Sequence, residues 1–323
     1  MHKLRFLLSA LIFILIISTS FSLFIFQNLN SSRGSLDKDA LVIIQQGQSL
    51  NGIADHLYDL GVISSPLYFK FYAIITGKDQ SLKAGEYLFA TNENIISVLN
   101  KIVNNDINER YLTIPEGLTS IQILNLINNA DGMNYDLVDS LNEGSILPET
   151  YSYSWGDNRN ELLIRMKKSL EGFVRKAWLI RKENLPFSSI SEALILASIV
   201  EKETGLESER SKVASVFINR LRKGMRLQSD PTVIYGINKN GSLGREITRS
   251  DLNGYTDFNT YKISGLPPYP ICHPGKSSIK AVLNPEDTDY LYFVADGLGG
   301  HVFAKNLRSH NKNVAKWRRL KNK

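Results

Sequence analysis

The hydrophobic pattern changes character along the chain. Residues 6–26, FLLSALIFILIISTSFSLFIF, run for 21 positions without a charge, long enough for a helix to cross the hydrocarbon core of a bilayer. Leu41–Ile44 is a short β-branched run that predicts a strand. After it, Leu50, Ile53, Ala54 and Leu57 share one face of a predicted helix, with Ser49 as its N-cap and Gly61 as its stop. LTIPEGLTSIQILNLI (Leu112–Ile127) repeats the order strand, Gly, Ser/Thr, helix. Two such copies predict similar units packed side by side, since a solenoid needs about three or more. From Glu161 the period is helical: ELLIRMKKSLEGFVRKAWLIRKE, then residues 191–204, then residues 209–222, which Gly224 terminates. Past residue 225, QSDPTVIYG, NTYKISGLPPYPICHPG and YLYFVADGLGG predict turns and short strands.

The first apolar run sets the compartment. His2, Lys3 and Arg5 precede it, and the positive-inside rule keeps such a terminus cytoplasmic. The Ser/Thr patch at Ser18–Ser22 can end a signal-peptide core, but the apolar run resumes at Leu23–Phe26 and no small-residue cleavage site follows. The expectation is an uncleaved single-pass anchor in the inner membrane, with a periplasmic body. The expected division is 1–5 cytoplasmic, 6–26 transmembrane helix, 27–39 polar linker, 40–110 a small subdomain and 111–323 one mixed α+β domain.

Composition narrows the class. At 43% hydrophobic and 22% charged, the chain can bury an ordinary core. Its net charge of +6 is a tail rather than a field: RSHNKNVAKWRRLKNK at the C-terminus holds seven Lys/Arg and no acid, and the remainder is close to neutral. Such a tail reads as a solvated terminal helix, or as a contact for an anionic polymer or a membrane. No zinc-finger spacing or RNA-binding aromatic signature is present, so nucleic acid is not an expected partner. The single cysteine, Cys272, excludes a disulfide within the chain. Its neighbour His273 is adjacent in an extended loop, where side chains diverge, so the pair is not read as a thiol nucleophile with its base. His301 and His310 lack metal-ligand spacing, and neither metal nor cofactor is expected.

The candidate chemistry lies in LASIVEKETG (Leu196–Gly205). This helix is apolar nearly all round, hence central in its domain. Leu196, Ile199 and Val200 share the face of Glu203, whereas Glu201 falls with Leu194, Ala197 and Ser198. Apolar burial and the negative end of the helix dipole would both raise the pKa of Glu203, and a carboxylic acid kept protonated near neutral pH suits a general acid. The plainer reading is that both glutamates lie on a solvated helix end and pair with Lys202 and Arg210. The stretch alone leaves both open.

VIIQQGQSLNGIADHL resembles the start of a LysM module, a small glycan-binding βααβ unit, through Val42, Gly47, Ser49, Leu50, Ile53 and Ala54. Gln48 stands where that module has Asp, and the stretch to Leu88 is longer than standard. ASIVEKETG, SERSKVASVFINRLRKGMRLQSDPTVIYG, NTYKISGLPPYPICHPG, YLYFVADGLGGHVF, LRSHN and the upstream GSILPETY together resemble the MltG (YceG-like) family of endolytic murein transglycosylases, over most of the chain. The resemblance implies an α+β fold with an N-terminal transmembrane helix, a LysM-like βααβ subdomain and a catalytic domain with a lysozyme-like helix carrying the catalytic Glu. It implies a lytic transglycosylase that cuts the MurNAc–GlcNAc bond of nascent peptidoglycan and leaves 1,6-anhydro-MurNAc ends without water. It also implies cooperation with cell-wall synthases, the penicillin-binding proteins. Related lytic transglycosylases and goose-type lysozymes place an acid directly before Ser/Thr at a helix end. Glu203–Thr204 fits that pattern and Glu201–Lys202 does not, so Glu203 is the expected catalytic residue.

Expected substrate contacts are Gln228, Asp230, Thr232 and Tyr235 in QSDPTVIYG, with Asn259 and Tyr261 in NTY. Asn219 is expected with them as a substrate-binding residue that also positions the acid. Each has a plainer reading: Asp230 before Pro231 as a turn start, Tyr261 as core filling, Asn219 as an exposed helix residue. Gly265, Pro267, Pro268, Pro270 and Pro274 are expected to form a rigid cleft wall. Three other functions compete: a non-catalytic glycan-binding scaffold, a lysozyme-type hydrolase, and a pyridoxal-phosphate lyase, against which the anchor and exported body argue.

Overall fold

The computed structural model describes residues 2–31, 33–134 and 136–321. The chain forms two compact units, Met1–Arg110 with Tyr153–Gly156, and Tyr111–Ser152 with Asp157–Lys323. Among the described residues, helices and three two-stranded sheets make the fold mixed α+β.

The first unit begins with α1 (His2–Ser31), continuous over 30 residues. Among the described residues no helix is long and apolar enough to cross a membrane. The expected anchor, 6–26, falls partly on residues 6–10, 21, 22 and 25, whose side chains lie outside the described ones. Beyond it, β1 (Ala40–Ile44) and β2 (Gly85–Phe89) pair antiparallel, with Val42 opposite Tyr87 and Ala40 opposite Phe89. Between them lie α2 (Leu50–Asp59) and α3 (Pro66–Ile75), and α4 (Ile95–Asn104) follows. Ser49 caps α2 by accepting from the Gly52 N–H, and Gly61 leaves it at φ +76°.

Alternation in the strands and helical spacing in α2–α4 send Val42, Ile44, Tyr87, Phe89, Leu57, Phe69, Leu99 and Ile102 into one core, joined by Leu29 at the end of α1. Glu86 is buried on β2 without being stranded. Arg110 grips it bidentately at 2.9 and 2.8 Å and Asn108 adds a third bond, so the Arg110 bonds, more than any other influence, hold its carboxyl below the usual range. The approach of Gly34 to the turn after α2 leaves no room for a side chain: a Cβ there would lie 2.0 Å from the Gly61 carbonyl oxygen and 2.4 Å from that of Val62. Gly34→Ala is therefore expected to cost ~1–3 kcal/mol, read as a lowered denaturation midpoint.

Next along the chain, β3 (Arg110–Thr113) and β4 (Thr150–Tyr153) pair, and α5 (Ser120–Asn128) of the second unit lies between them in sequence. Then come α6 (Arg159–Leu179), α7 (Ile190–Glu203) and α8 (Glu207–Arg222). The segment after residue 225 is more helical than its turn residues suggest. It holds α9 (Asp230–Ile237), α10 (Arg249–Asn253) and α11 (Lys276–Leu283) before the hairpin β5 (Tyr292–Ala295) and β6 (His301–Ala304) and the final α12 (Leu307–Lys321). The Asp230–Pro231 pair starts a helix rather than a free turn, because proline is pre-set for the first helical turn, where its missing N–H costs nothing. Leu196, Ile199 and Val200 of α7 sit at the centre of this unit's core with Val213, Phe217 and Ile218 of α8 and Ile279, Val282 and Leu283 of α11.

Candidate active site

A capping box opens α7: Ser189 Oγ accepts from the Glu192 N–H, and the Glu192 carboxylate accepts from the Ser189 N–H. The other end stops at Thr204, which turns to extended backbone and whose hydroxyl accepts from the Leu206 N–H. Glu203 is thus the last residue of a central, buried helix, with its carboxyl at the negative end of the dipole.

The two glutamates part company here. Glu201 Oε2 accepts from the Gly275 N–H at 2.9 Å, and Glu201 Oε1 lies 3.7 Å from the Arg210 guanidinium. Glu201 holds a loop. Glu203 instead lines a cleft of about 400 Å³ together with Arg220, Gln228, Asp230, Tyr261 and His310. The pairing of both acids with neighbouring cations therefore holds for Glu201 and not for Glu203.

Burial is the main force on the Glu203 carboxyl, and it pushes the pKa up to about 7; the nearby negative charge of Asp230 adds to this. Two influences oppose it: the Ser229 hydroxyl, which donates to Glu203 Oε1 at 2.6 Å, and the positive Arg220. One edge of Glu203 stays open to the cleft. A carboxyl that is enclosed, half-protonated at neutral pH and open on one side can donate a proton and take one back.

The loop beneath the acid is built tightly. Gln228 adopts left-handed backbone, φ +52°, a conformation that costs a non-glycine residue energy and that tends to gather at functional sites. Its N–H bonds the Thr260 carbonyl, and the Ser229 N–H bonds Thr260 Oγ1. Thr232 Oγ1 donates to the Ser229 carbonyl at 2.6 Å and meets Thr260 Oγ1 at 2.8 Å. Behind the loop, buried Arg220 donates to the carbonyls of Leu227 and Leu291, both at 2.7 Å, and lies 5.1 Å from the Tyr292 ring centre.

Of the expected substrate-contact residues, Gln228, Asp230 and Tyr261 line the cleft, and the Tyr261 hydroxyl donates to Asp230 Oδ1 at 2.6 Å. Thr232, Tyr235 and Asn259 are buried and do not line it. Thr232 clamps Ser229. Tyr235 points its hydroxyl to Glu143 at 2.9 Å. Asn259 donates to the carbonyls of Leu252 and Gly254 and accepts from the Tyr261 N–H, ordering that loop. Asn219 does not reach the acid: it donates to the carbonyls of Thr288 and Tyr290, tying α8 to the segment before β5. The proline-rich loop is not among the cleft-lining residues either. Its Ile271 N–H and Cys272 thiol bond Ser198 of α7 instead.

Sequence reasoning missed Ser229, Arg220 and the place of α12 at the cleft. Ser229 lies inside QSDPTVIYG, where a serine is ordinary turn chemistry. Arg220 was one cation among many on an amphipathic helix. The basic tail, read as a solvated terminal helix or as a contact for an anionic polymer or a membrane, does form a helix, and Leu307, His310 and Asn311 at the start of that helix form part of the cleft wall.

A second polar cluster has the wrong geometry for nucleophilic catalysis. Ser120 Oγ lies 2.9 Å from His273 Nε2, but Glu143 approaches that same nitrogen, at 3.7 Å, rather than Nδ1. Burial drives His273 down to about 4 and raises the buried Cys272 thiol well above its usual value. Both are inert near neutral pH. Among the described residues no group of three or more His, Cys, Asp or Glu is placed to hold a metal ion.

A family model for YceG-like proteins matches residues 42–316. The chain belongs to the YceG-like family. It is 33% identical over 313 residues to the Bacillus subtilis (strain 168) protein named endolytic murein transglycosylase, an alignment covering 86% of this chain and 85% of that protein. It is 29% identical over 373 residues to the Streptococcus pneumoniae (serotype 2, strain D39) protein of the same name, covering 97% of this chain and 65% of that protein. A crystal structure of a yceG-like protein from Listeria monocytogenes superposes with a TM-score of 0.53 at 30% identity, over 85% of this chain and 99% of that one.

Ser229 offers a direct probe of this YceG-like site. Because its hydrogen bond favours the ionised carboxylate, Ser229→Ala is expected to move the alkaline limb of the pH–rate profile to higher pH. It should also lower kcat/KM by roughly tenfold, while circular dichroism stays unchanged.

Proposed function

We propose that this chain is an endolytic murein transglycosylase with Glu203 as its single acid–base residue. The observation that carries this reading is the placement of Glu203: an enclosed carboxyl, raised to about 7, on the wall of an open cleft. The names of the Bacillus and Streptococcus relatives agree with it. In the first step the Glu203 proton passes to the glycosidic oxygen as the C1–O bond of MurNAc breaks, and GlcNAc leaves as an alcohol. Glu203 is now a carboxylate. It takes the proton of the 6-hydroxyl while O6 closes on C1, giving the 1,6-anhydro end and restoring the acid. No water is consumed, so one carboxyl suffices where most glycosidases use two. Gln228, Asp230 and Tyr261 are the proposed sugar contacts.

The proposal extends to place and partners. The uncharged run 6–26 and the half-exposed side chains of Leu11–Ile17 on α1 support an inner-membrane anchor with the body in the periplasm. The strand–helix–helix–strand order of residues 40–89 supports a LysM-like unit. Nascent glycan strands and the synthases that make them are the proposed partners. Mass spectrometry of muropeptides released by the full chain tests the chemistry. Ends lighter by one water support it, whereas ordinary reducing ends make the protein a hydrolase, and no cleavage by folded protein favours a scaffold.

A further inference from the structure

Outside the Glu203 cleft, Tyr235, Phe258 and Tyr269 form a cluster of three rings. Their centroids lie 5.1 Å apart for Tyr235–Phe258, 4.7 Å for Phe258–Tyr269 and 6.3 Å for Tyr235–Tyr269, and every pair meets edge to face. Into this cluster reaches the ammonium of Lys239. Its Nζ lies 3.5 Å from the Phe258 centroid, 4.1 Å from that of Tyr235 and 5.4 Å from that of Tyr269. Among the described residues it makes no hydrogen bond or ion pair. The rings hold it through the attraction of their negative faces for a cation, and the nearby negative charge of Glu143 adds to that hold. The Tyr235 hydroxyl donates to Glu143, which shifts electron density toward that ring and strengthens the effect.

Lys239 is a displaceable occupant. It comes from an exposed loop whose hydrogen bonds are internal: Asn238 Nδ2 to the Ser242 carbonyl, the Asn240 N–H to Asn238 Oδ1, and the Gly241 N–H to the Asn238 carbonyl. The fold keeps the cage walls without it, since Tyr235 and Phe258 belong to the buried core. Tyr269 is 42% exposed, so the cage opens to solvent on that side. The attraction of aromatic faces for one ammonium is modest, so a ligand amine held by further contacts displaces Lys239. Helix α9 links the two places: Asp230 lines the cleft and Tyr235 the cage, five residues apart, about 7.5 Å along the axis and on different faces of the helix, a span that a few extended residues cover.

We propose that this cage is a subsite for an alkylammonium group, the free amine of a diamino acid in the peptide stem of a murein strand lying in the cleft, and that Lys239 plugs it in the free protein. The identity of the ligand rests on the murein reading; the cage and its plug do not.

The test separates the two. The full chain, wild type beside Lys239→Ala, is titrated calorimetrically with tetramethylammonium chloride. Lys239 belongs to a loop, and circular dichroism checks that its removal spares the fold. Lys239→Ala should bind the cation roughly tenfold tighter, and adding Tyr269→Leu should abolish the gain. Equal binding by wild type and Lys239→Ala overturns the cage. Glycan strands with free stem amines are then compared with the same strands N-acetylated at those amines. A lower KM for the free-amine strands, more marked in Lys239→Ala, supports the stem amine as occupant, and equal KM values overturn it. Failure to cleave either strand sinks the murein reading, and the stem amine with it, while the titration still decides the cage.

Discussion

Glu203→Gln is expected to lower kcat on glycan strands by roughly 10²–10⁴ with little change in substrate affinity. Glutamine keeps the size of the side chain and, through its carbonyl, the bond from Ser229, but it has no proton to give. Muropeptide mass spectrometry should show loss of new chain ends. The pH dependence follows from the same group. The protonated form works in the first step, and its pKa lies at about 7, so kcat/KM should be level in mild acid and fall as pH rises through about 7. Stability moves with it. The folded pKa is raised from the ordinary 4.5, so the folded state binds the proton more tightly, and stability declines as pH climbs from about 4.5 through about 7. Above that window wild type holds an ionised, enclosed carboxylate, and Glu203→Gln does not. The variant should therefore be the more stable protein at about pH 8, by up to ~3 kcal/mol, with the gap closing toward about pH 4. Denaturation midpoints across that range check the sign, and a variant less stable than wild type at alkaline pH would contradict the enclosed-acid geometry.

Arg220→Met should have the largest effect on the fold around the cleft. The guanidinium is buried and donates to the carbonyls of Leu227 and Leu291 from two sides of the site. Methionine fills much of the volume but leaves those oxygens unpaired, a loss of ~3 kcal/mol or more. It also removes the positive charge that restrains the Glu203 pKa, so the alkaline limb of activity should move upward in whatever enzyme remains folded. Arg220→Lys keeps the charge but not the planar fork, and should restore the pH profile more fully than the urea midpoint. If both variants match wild type in both measurements, Arg220 does not brace the cleft.

Much of this protein can be read without coordinates, and the boundary is physical. Periodicity placed the β1 strand, α2 with its Ser49 cap, and the helices α6, α7 and α8, because local spacing reports which face is buried. It also placed Glu203 on the apolar face of α7, at the end where the dipole disfavours charge. What local spacing cannot report is which distant segment meets that face. Gln228, Asp230, Thr232 and Tyr235 of QSDPTVIYG are all expected substrate contacts, yet helix α9 turns Asp230 to the cleft and Thr232 and Tyr235 into the interior. Asn219 and Asn259, polar and therefore suspect, spend their hydrogen bonds on backbone carbonyls far along the chain or across a loop. Ser229 meets Glu203 across 26 residues, Arg220 reaches Leu291 across 71, and the C-terminal helix returns to wall the cleft. The acid and its unfavourable position belong to the sequence. Its donor, its brace and the opening beside it exist only once the chain has folded back on itself, because each depends on a contact between segments whose separation carries no periodic signal.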